Sequence, residues 1–157
     1  MIEIITDDKL GCEEEDIKDF IENVLTFAIQ ELKPNFQKKP FYLSVFITNN
    51  FGISKINSKY RNKNFPTNVL SFPQNEERKI FDNFKSKILG DIVLSLEKIR
   101  IESVEQNKSF KNHLTHMLIH GLLHLFGYNH LNDKDAEIME RFETNILSKL
   151  LIPAPYN

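Results

Sequence analysis

Cysteine, tryptophan and glycine are scarce in this chain: one Cys, no Trp and five Gly among 157 residues. A lone thiol, Cys12, excludes an internal disulfide, suits a reducing compartment and leaves no cysteine cluster to hold a metal. Cys12 itself reads as inert. No apolar run reaches the eighteen residues of a membrane span, and the opening MIEIITDDKL lacks the basic-then-apolar order of a signal peptide. These absences point to a cytoplasmic protein with no membrane partner. Acids are missing from one long stretch. Residues 32–75 hold seven bases (Lys33, Lys38, Lys39, Lys55, Lys59, Arg61 and Lys63) and no Asp or Glu, whereas residues 1–31 hold ten acids against two bases. A one-signed stretch of that size can set up a local field that attracts a phosphate backbone, even in a chain whose net charge is −2. The plainer reading is a solvated lysine-rich surface. A hydrophobic content of 41% over this length suits one domain spanning residues 1–157.

What is present reads as four strands and five helices. Short strands are expected at 2–6, at FYLSVFIT (41–48), within Thr67–Phe72 and at Ile88–Ser95, each rich in β-branched or aromatic residues. Helical periodicity runs from about Glu13 to Leu32, with acids in the first turn and Pro34 beyond the end. A second helix, capped by Asn49 or Asn50, carries Ile53, Ile56 and Tyr60 and stops near Asn62. Residues 74–87 are charged and polar, a hairpin or loop. Leu96–Glu105 and Phe110–Phe126 are helical, the latter apolar on almost every side and therefore buried. The last helix runs from about Asp133 to Leu151, capped by Asn132 or Asp133, with Met139 on its core face.

The stretch HGLLHLFGYNH places His120, His124 and His130 within residues 120–130. On a helix, side chains four apart stand on one face, so His120 and His124 can reach one ion. His130 lies roughly 240° around the helix from His124 and can join only if the chain turns back. Gly127 provides that turn, because glycine adopts the left-handed conformation that ends helices. Three neutral imidazoles with an open position form the ligand set of a catalytic rather than a structural zinc. His116 is expected to pack or to donate a hydrogen bond behind the ligands, and His113 to sit in solvent. The glutamate that follows the first histidine in zinc proteases of the extended type is here Gly121, so their general base is absent. A glycine inside a helix implies that a neighbour or a substrate needs the room.

HGLLHLFGYNH resembles the His-Gly-x-Leu-His-Leu-x-Gly-Tyr-Asp-His signature of the YbeY family of bacterial endoribonucleases, or rRNA maturation factors. INSKYRNKNFPTNVLSFP (56–73) is similar to that family's Leu-Asn-x-x-Tyr-Arg segment and the Thr-Asp-Val-Leu-Ser-Phe-Pro that follows it, and LGDIVLS (89–95) to its Leu-Gly-Asp-Ile strand. The resemblance implies an α+β fold, a small mixed four-stranded sheet packed with helices, whose central buried helix carries two metal-ligand histidines. It implies that His120, His124 and His130 bind one Zn2+ and that Arg61 is the arginine of the active cleft. It further implies cutting of single-stranded RNA in 16S rRNA 3′-end maturation, ribosome biogenesis and ribosome quality control. The small ribosomal subunit and ribosomal proteins would be partners. Two positions depart from the pattern: Asn68 and Asn129 stand where the family has aspartate. If either aspartate normally orients a ligand imidazole, an amide would support it less.

Three imidazoles leave zinc its full charge, which brings a bound water toward a pKa of about 7. Arg61 would hold the phosphate, Lys59 and Lys63 would steer the backbone, and His116 is a candidate for proton transfer. Water and the RNA 2′-OH both remain open as nucleophile. Two other readings compete: a zinc-stabilised, non-catalytic ribosome assembly factor that binds RNA or a ribosomal protein, and a metallopeptidase-like hydrolase.

Overall fold

The computed structural model describes residues 1–10, 15–38, 40–74 and 87–156, so Cys12 and nearly all of the polar stretch 74–87 lie outside the described residues. Along Ile2–Thr6 (β1) burial alternates residue by residue, the period of a strand covered on one face. Phe41–Thr48 (β2) buries Leu43, Val45 and Ile47 completely. With Val69–Pro73 (β3) and Lys87–Ser95 (β4) they form a four-stranded sheet in the order β1-β2-β4-β3. β1, β2 and β4 run parallel, Ile4 opposite Val45 and Val45 opposite Ile92, while β3 lies antiparallel to β4 at the edge. The sheet is therefore mixed, and the fold is α+β.

β3 can approach β4 closely because Gly90 sits at φ +134°; a Cβ there would lie 2.2 Å from the Phe72 carbonyl oxygen. Pro73, which has no N–H for the ladder, occupies the end of this edge strand, where the loss is tolerated. β3 begins two residues later than the sequence pattern suggests. Asn68 Oδ1 accepts from Val69 N, and its carbonyl accepts from Ser95 N at the end of β4.

The helices are Glu15–Leu32 (α1), Asn50–Arg61 (α2), Leu96–Glu105 (α3), Phe110–Leu125 (α4) and Asp133–Lys149 (α5). Of the candidate caps, Asn49 accepts from Gly52 N at the start of α2 and Asn132 from Asp135 N at the start of α5. Asn62, left-handed at φ 55°, ends α2. α4 packs against β3, β4, α1, α3 and α5 together. Leu114, Leu118, Ile119, Leu122, Leu123 and Leu125 are all wholly buried along it. Each such side chain contributes roughly 1.5–3 kcal/mol of transfer free energy, which fixes α4 as the axis of the core.

Burial on all sides also corrects one expectation. His113 is not in solvent: it is 2% exposed, between α4 and α3, with Nε2 3.3 Å from the Glu102 carboxylate. Burial lowers its pKa, so the ring stays neutral against that partner.

Gly121 explains itself through packing. A Cβ there would meet Ser71 Oγ at 3.1 Å and Val69 Cγ2 at 3.2 Å, and Ser71 Oγ donates to the Gly121 carbonyl at 2.9 Å. β3 thus rests directly on the α4 backbone. A side chain at this position would press on the side chains of Ser71 and Val69, so the bare Cα suits the close α4–β3 contact. Replacing Gly121 with valine should lower the stability of the metal-free protein by about 2 kcal/mol in urea denaturation, the scale of core overpacking; an unchanged midpoint would refute close α4–β3 contact.

Candidate metal centre

His120 and His124 stand one turn apart on α4, with their Nε2 atoms 3.1 Å apart. The helix then ends in two bonds, Gly127 N to His124 O and Tyr128 N to Leu123 O, with Phe126 as the cap. That pattern requires a left-handed residue after the cap, and Gly127 supplies it at φ 92°. The reversal brings His130 back, its ring 5.7 Å from His120 and 5.2 Å from His124 between centroids. One nitrogen from each of the three imidazoles lies within 4.8 Å of the others. Two nitrogens each about 2.05 Å from a tetrahedral ion are roughly 3.3 Å apart, so the His120–His124 pair is spaced to share one. The cluster could hold a metal ion.

The group that organises these ligands is one the sequence reading passed over. Glu143, on α5, is fully buried. Its Oε1 lies 2.6 Å from His120 Nδ1, its Oε2 lies 2.9 Å from His116 Nε2, and the Tyr156 hydroxyl also donates to Oε2. Burial by itself would raise the Glu143 pKa, but the hydrogen bonds from His116, His120 and Tyr156 outweigh it and hold the carboxyl at about 2. An ionised carboxylate only accepts, so Nδ1 of His120 must carry the proton. Nε2 is left as a lone pair facing His124, the tautomer a metal ligand needs. Burial, aided by the Glu143 charge, pushes the Tyr156 phenol far up, and it remains a donor. His116 therefore packs behind the ligands and donates a hydrogen bond there, as expected. Burial first, then the positive charge that His120 and His130 can carry, push His124 down to about 4, so it too is neutral near pH 7.

Arg61 is exposed at the end of α2. Its guanidinium stacks 5.0 Å over the Phe72 ring and donates through Nη2 to Ser71 O at 2.8 Å. Ser71 bonds Gly121, the residue after His120, so Arg61 is tied to the ligand turn through β3. Beside the histidines a cleft is lined by His120, His130, Ala136, Met139, Glu140, Glu143 and Tyr156.

The model of the family described as "Endoribonuclease YbeY" matches residues 3–151. The chain belongs to that family. It is 44% identical to the endoribonuclease YbeY of Sinorhizobium fredii over 132 residues, covering 84% of this chain and 75% of that one. It is 41% identical to the protein of the same name from Rhizobium leguminosarum bv. trifolii, over 99% of this chain and 92% of the relative. The corresponding Bartonella bacilliformis protein is 51% identical over 73% of this chain and 71% of its own length. The fold matches the solution structure of TM1509 from Thermotoga maritima, with a TM-score of 0.55 at 24% identity over 96% of this chain and 92% of that one.

The side chains at the two departures from the YbeY pattern hydrogen-bond elsewhere. Asn68 Nδ2 donates to Glu102 Oε2 at 3.1 Å, the same carboxylate that meets His113, so an aspartate here would face a like charge. Asn129 Oδ1 accepts from Leu131 N at 3.3 Å in the loop before α5. The orienting carboxylate is Glu143 instead.

Two outcomes follow from this wiring. Glu143→Gln, which cannot accept from all three donors, should weaken metal binding about 10- to 100-fold in competition with a chromophoric chelator; wild-type affinity would show that Glu143 does not orient His120. In the metal-free protein, unfolded His124 binds a proton near pH 6.5 while the folded ring resists until about 4. Stability is thus complete above pH 6.5 and falls as pH drops toward 4, by up to about 3 kcal/mol from this residue. Urea denaturation at pH 7.0, 5.5 and 4.5 in chelator measures the loss, and His124→Gln should make it smaller, leaving the share of buried His113, whose pKa is also lowered.

Proposed function

We propose that this YbeY-family chain is a zinc-dependent single-strand endoribonuclease, one metal-dependent hydrolase domain over residues 1–157. It acts in the cytoplasm in 16S rRNA 3′-end maturation, ribosome biogenesis and ribosome quality control. Its substrate is ribosomal RNA, met on the small ribosomal subunit alongside ribosomal proteins. The observation that supports this reading best is the imidazole cluster, with ligand atoms within 4.8 Å of one another, on the helical turn that Arg61 reaches through Ser71.

His120, His124 and His130 hold the ion, and Glu143 keeps His120 in the ligand tautomer. A bound zinc ion supplies Lewis-acid polarisation at neutral pH. Arg61 uses one nitrogen on Ser71 and the ring of Phe72 as a seat, which leaves further N–H donors to grip a phosphate and to stabilise charge as it builds. Lys59 and Lys63, both exposed, draw the RNA backbone toward it. His116 is an unsuitable proton carrier, because its Nε2 proton is committed to Glu143 in a buried site. Glu143 is equally unavailable as a general base, with both oxygens already accepting. The metallopeptidase reading loses ground to the strand packed on Gly121.

The test is cleavage of a labelled single-stranded RNA by protein of measured zinc content. Wild type with one equivalent of zinc should cut. His124→Ala should lose zinc and activity together, whereas Arg61→Ala should keep its zinc and lose about 100-fold in kcat, as removal of one charge-stabilising donor does elsewhere. Zinc-loaded wild type that binds ribosomal RNA without cutting it would point to the zinc-stabilised assembly factor instead.

A further inference from the structure

α2 buries very little of itself. Of its twelve residues only Ile53 and Asn57 are buried, and in the half that ends at Arg61 the buried side chain is an amide. Asn57 is 2% exposed, and its Nδ2 donates to the Phe65 carbonyl at 2.9 Å. Its own carbonyl accepts from Asn62 N, the left-handed cap, and from Lys63 N at 3.3 Å. Side chain and backbone of this one residue therefore both hold the loop that follows Arg61. A second tie, Ser58 Oγ to Asn64 Oδ1 at 2.6 Å, is exposed, where water competes for both groups. Beyond Phe65 the chain is short and stiff, because Pro66 fixes its own φ and biases Phe65 toward extended backbone. Two residues after Pro66, the Asn68 carbonyl accepts from Ser95 N at 3.0 Å. The loop is thus pinned to α2 at Phe65 and to the end of β4 at Asn68, and β3 starts at the next residue. The other end of α2 is fastened separately, by Asn50 N to Glu97 and Ser95 Oγ to Asn50 Oδ1.

We infer that Asn57 is a positioning residue for Arg61: by holding the Phe65 carbonyl, its buried amide sets how β3 returns beside the last turn of α2, and so keeps the guanidinium on Ser71 and Phe72. The assignment rests on the nuclease reading above, in which Arg61 grips the phosphate, and names what holds Arg61 in place. An apolar side chain at position 57 would anchor the turn through buried area, which has no direction. A buried amide costs free energy unless its N–H groups meet an acceptor, so it specifies where the loop must lie. Arg61 follows Asn57 by four residues, one turn of helix. Its bond to Ser71 O at 2.8 Å and its seat 5.0 Å over the Phe72 ring each require β3 at one distance from that turn.

The experiment uses zinc-loaded Asn57→Leu, which keeps the bulk and loses the donor, and Asn57→Ala, which loses the donor without overfilling the site. Both should retain their zinc and cut a labelled single-stranded RNA about tenfold more slowly in single turnover, as a displaced catalytic group does. In an Arg61→Ala background neither should add a further loss beyond about twofold. Nitrogen-15 NMR follows the guanidinium itself, its signals identified by their disappearance in Arg61→Ala. Held on Ser71, the two Nη groups of wild type should be inequivalent, and in the Asn57 variants they should average. The assignment is overturned if both variants cut within about twofold of wild type, if their losses multiply with that of Arg61→Ala, or if the wild-type Nη groups already average. It is also overturned if Ile53→Val, which loosens the other half of α2, slows cleavage as much. Wild type that does not cut, with the guanidinium freed in the Asn57 variants, overturns the nuclease reading alone. Wild type that cuts, with the guanidinium still held in the Asn57 variants, overturns the positioning role alone.

Discussion

A carboxylate removed from water, Glu143, is the interaction on which the rest of the centre depends. Burying one ionised carboxylate is costly unless its lone pairs are filled. Here the donors come from His120 and His116 on α4 and from Tyr156 in the segment after α5. The bonds from His116 and His120 join α4 to α5, that from Tyr156 ties the following segment to α5, and the His120 bond sets which nitrogen of His120 faces the other two histidines. Stability and ligand chemistry are coupled through one side chain, so a change at Glu143 would be felt in both.

The second constraint is the contact between β3 and α4 at Gly121. The strand sits on bare helix backbone, and Ser71 is bonded both to that backbone and to Arg61. Gly90, at φ +134°, lets the same strand close on β4 from the other edge. Two glycines thus wedge β3 between its neighbours, and Arg61 inherits a fixed relation to the turn that carries His120. An arginine at the end of an exposed helix would otherwise lose much of its rotamer freedom on meeting a phosphate; its seat on Phe72 and Ser71 removes part of that cost beforehand.

Membership of the YbeY endoribonuclease family supports an RNA-cleaving hydrolase. The acids concentrate in residues 1–31, away in sequence from the bases of residues 32–75, and of those bases Arg61 reaches α4 through Ser71 of β3. Among the described residues no helix is long and apolar enough to cross a membrane.

Local chemistry was legible directly. The i, i+4 spacing of His120 and His124 and the return of His130 after Gly127 depend on helix geometry and a few neighbouring residues, which the sequence states outright, and the caps were narrowed to Asn49 or Asn50 and to Asn132 or Asp133, of which Asn49 and Asn132 accept the bonds. The strand at 41–48 and the helices at 96–105 and 110–125 fell where periodicity put them for the same reason. Long-range partners were not legible. Glu143 sits in a helix with other acids, and nothing in its neighbourhood of the chain separates a buried carboxylate from a solvated one. His113 looked exposed because its partner Glu102 lies on another helix. Asn68 and Asn129 looked like weakened ligand supports, yet their bonds run to Glu102 and Leu131. The sequence by itself determined which three histidines meet and the turn that gathers them, because those are matters of spacing within one helix and its end. Only the tertiary structure decided which carboxylate orients them and how Arg61 is tied to them, because burial and hydrogen bonding there join residues dozens of positions apart.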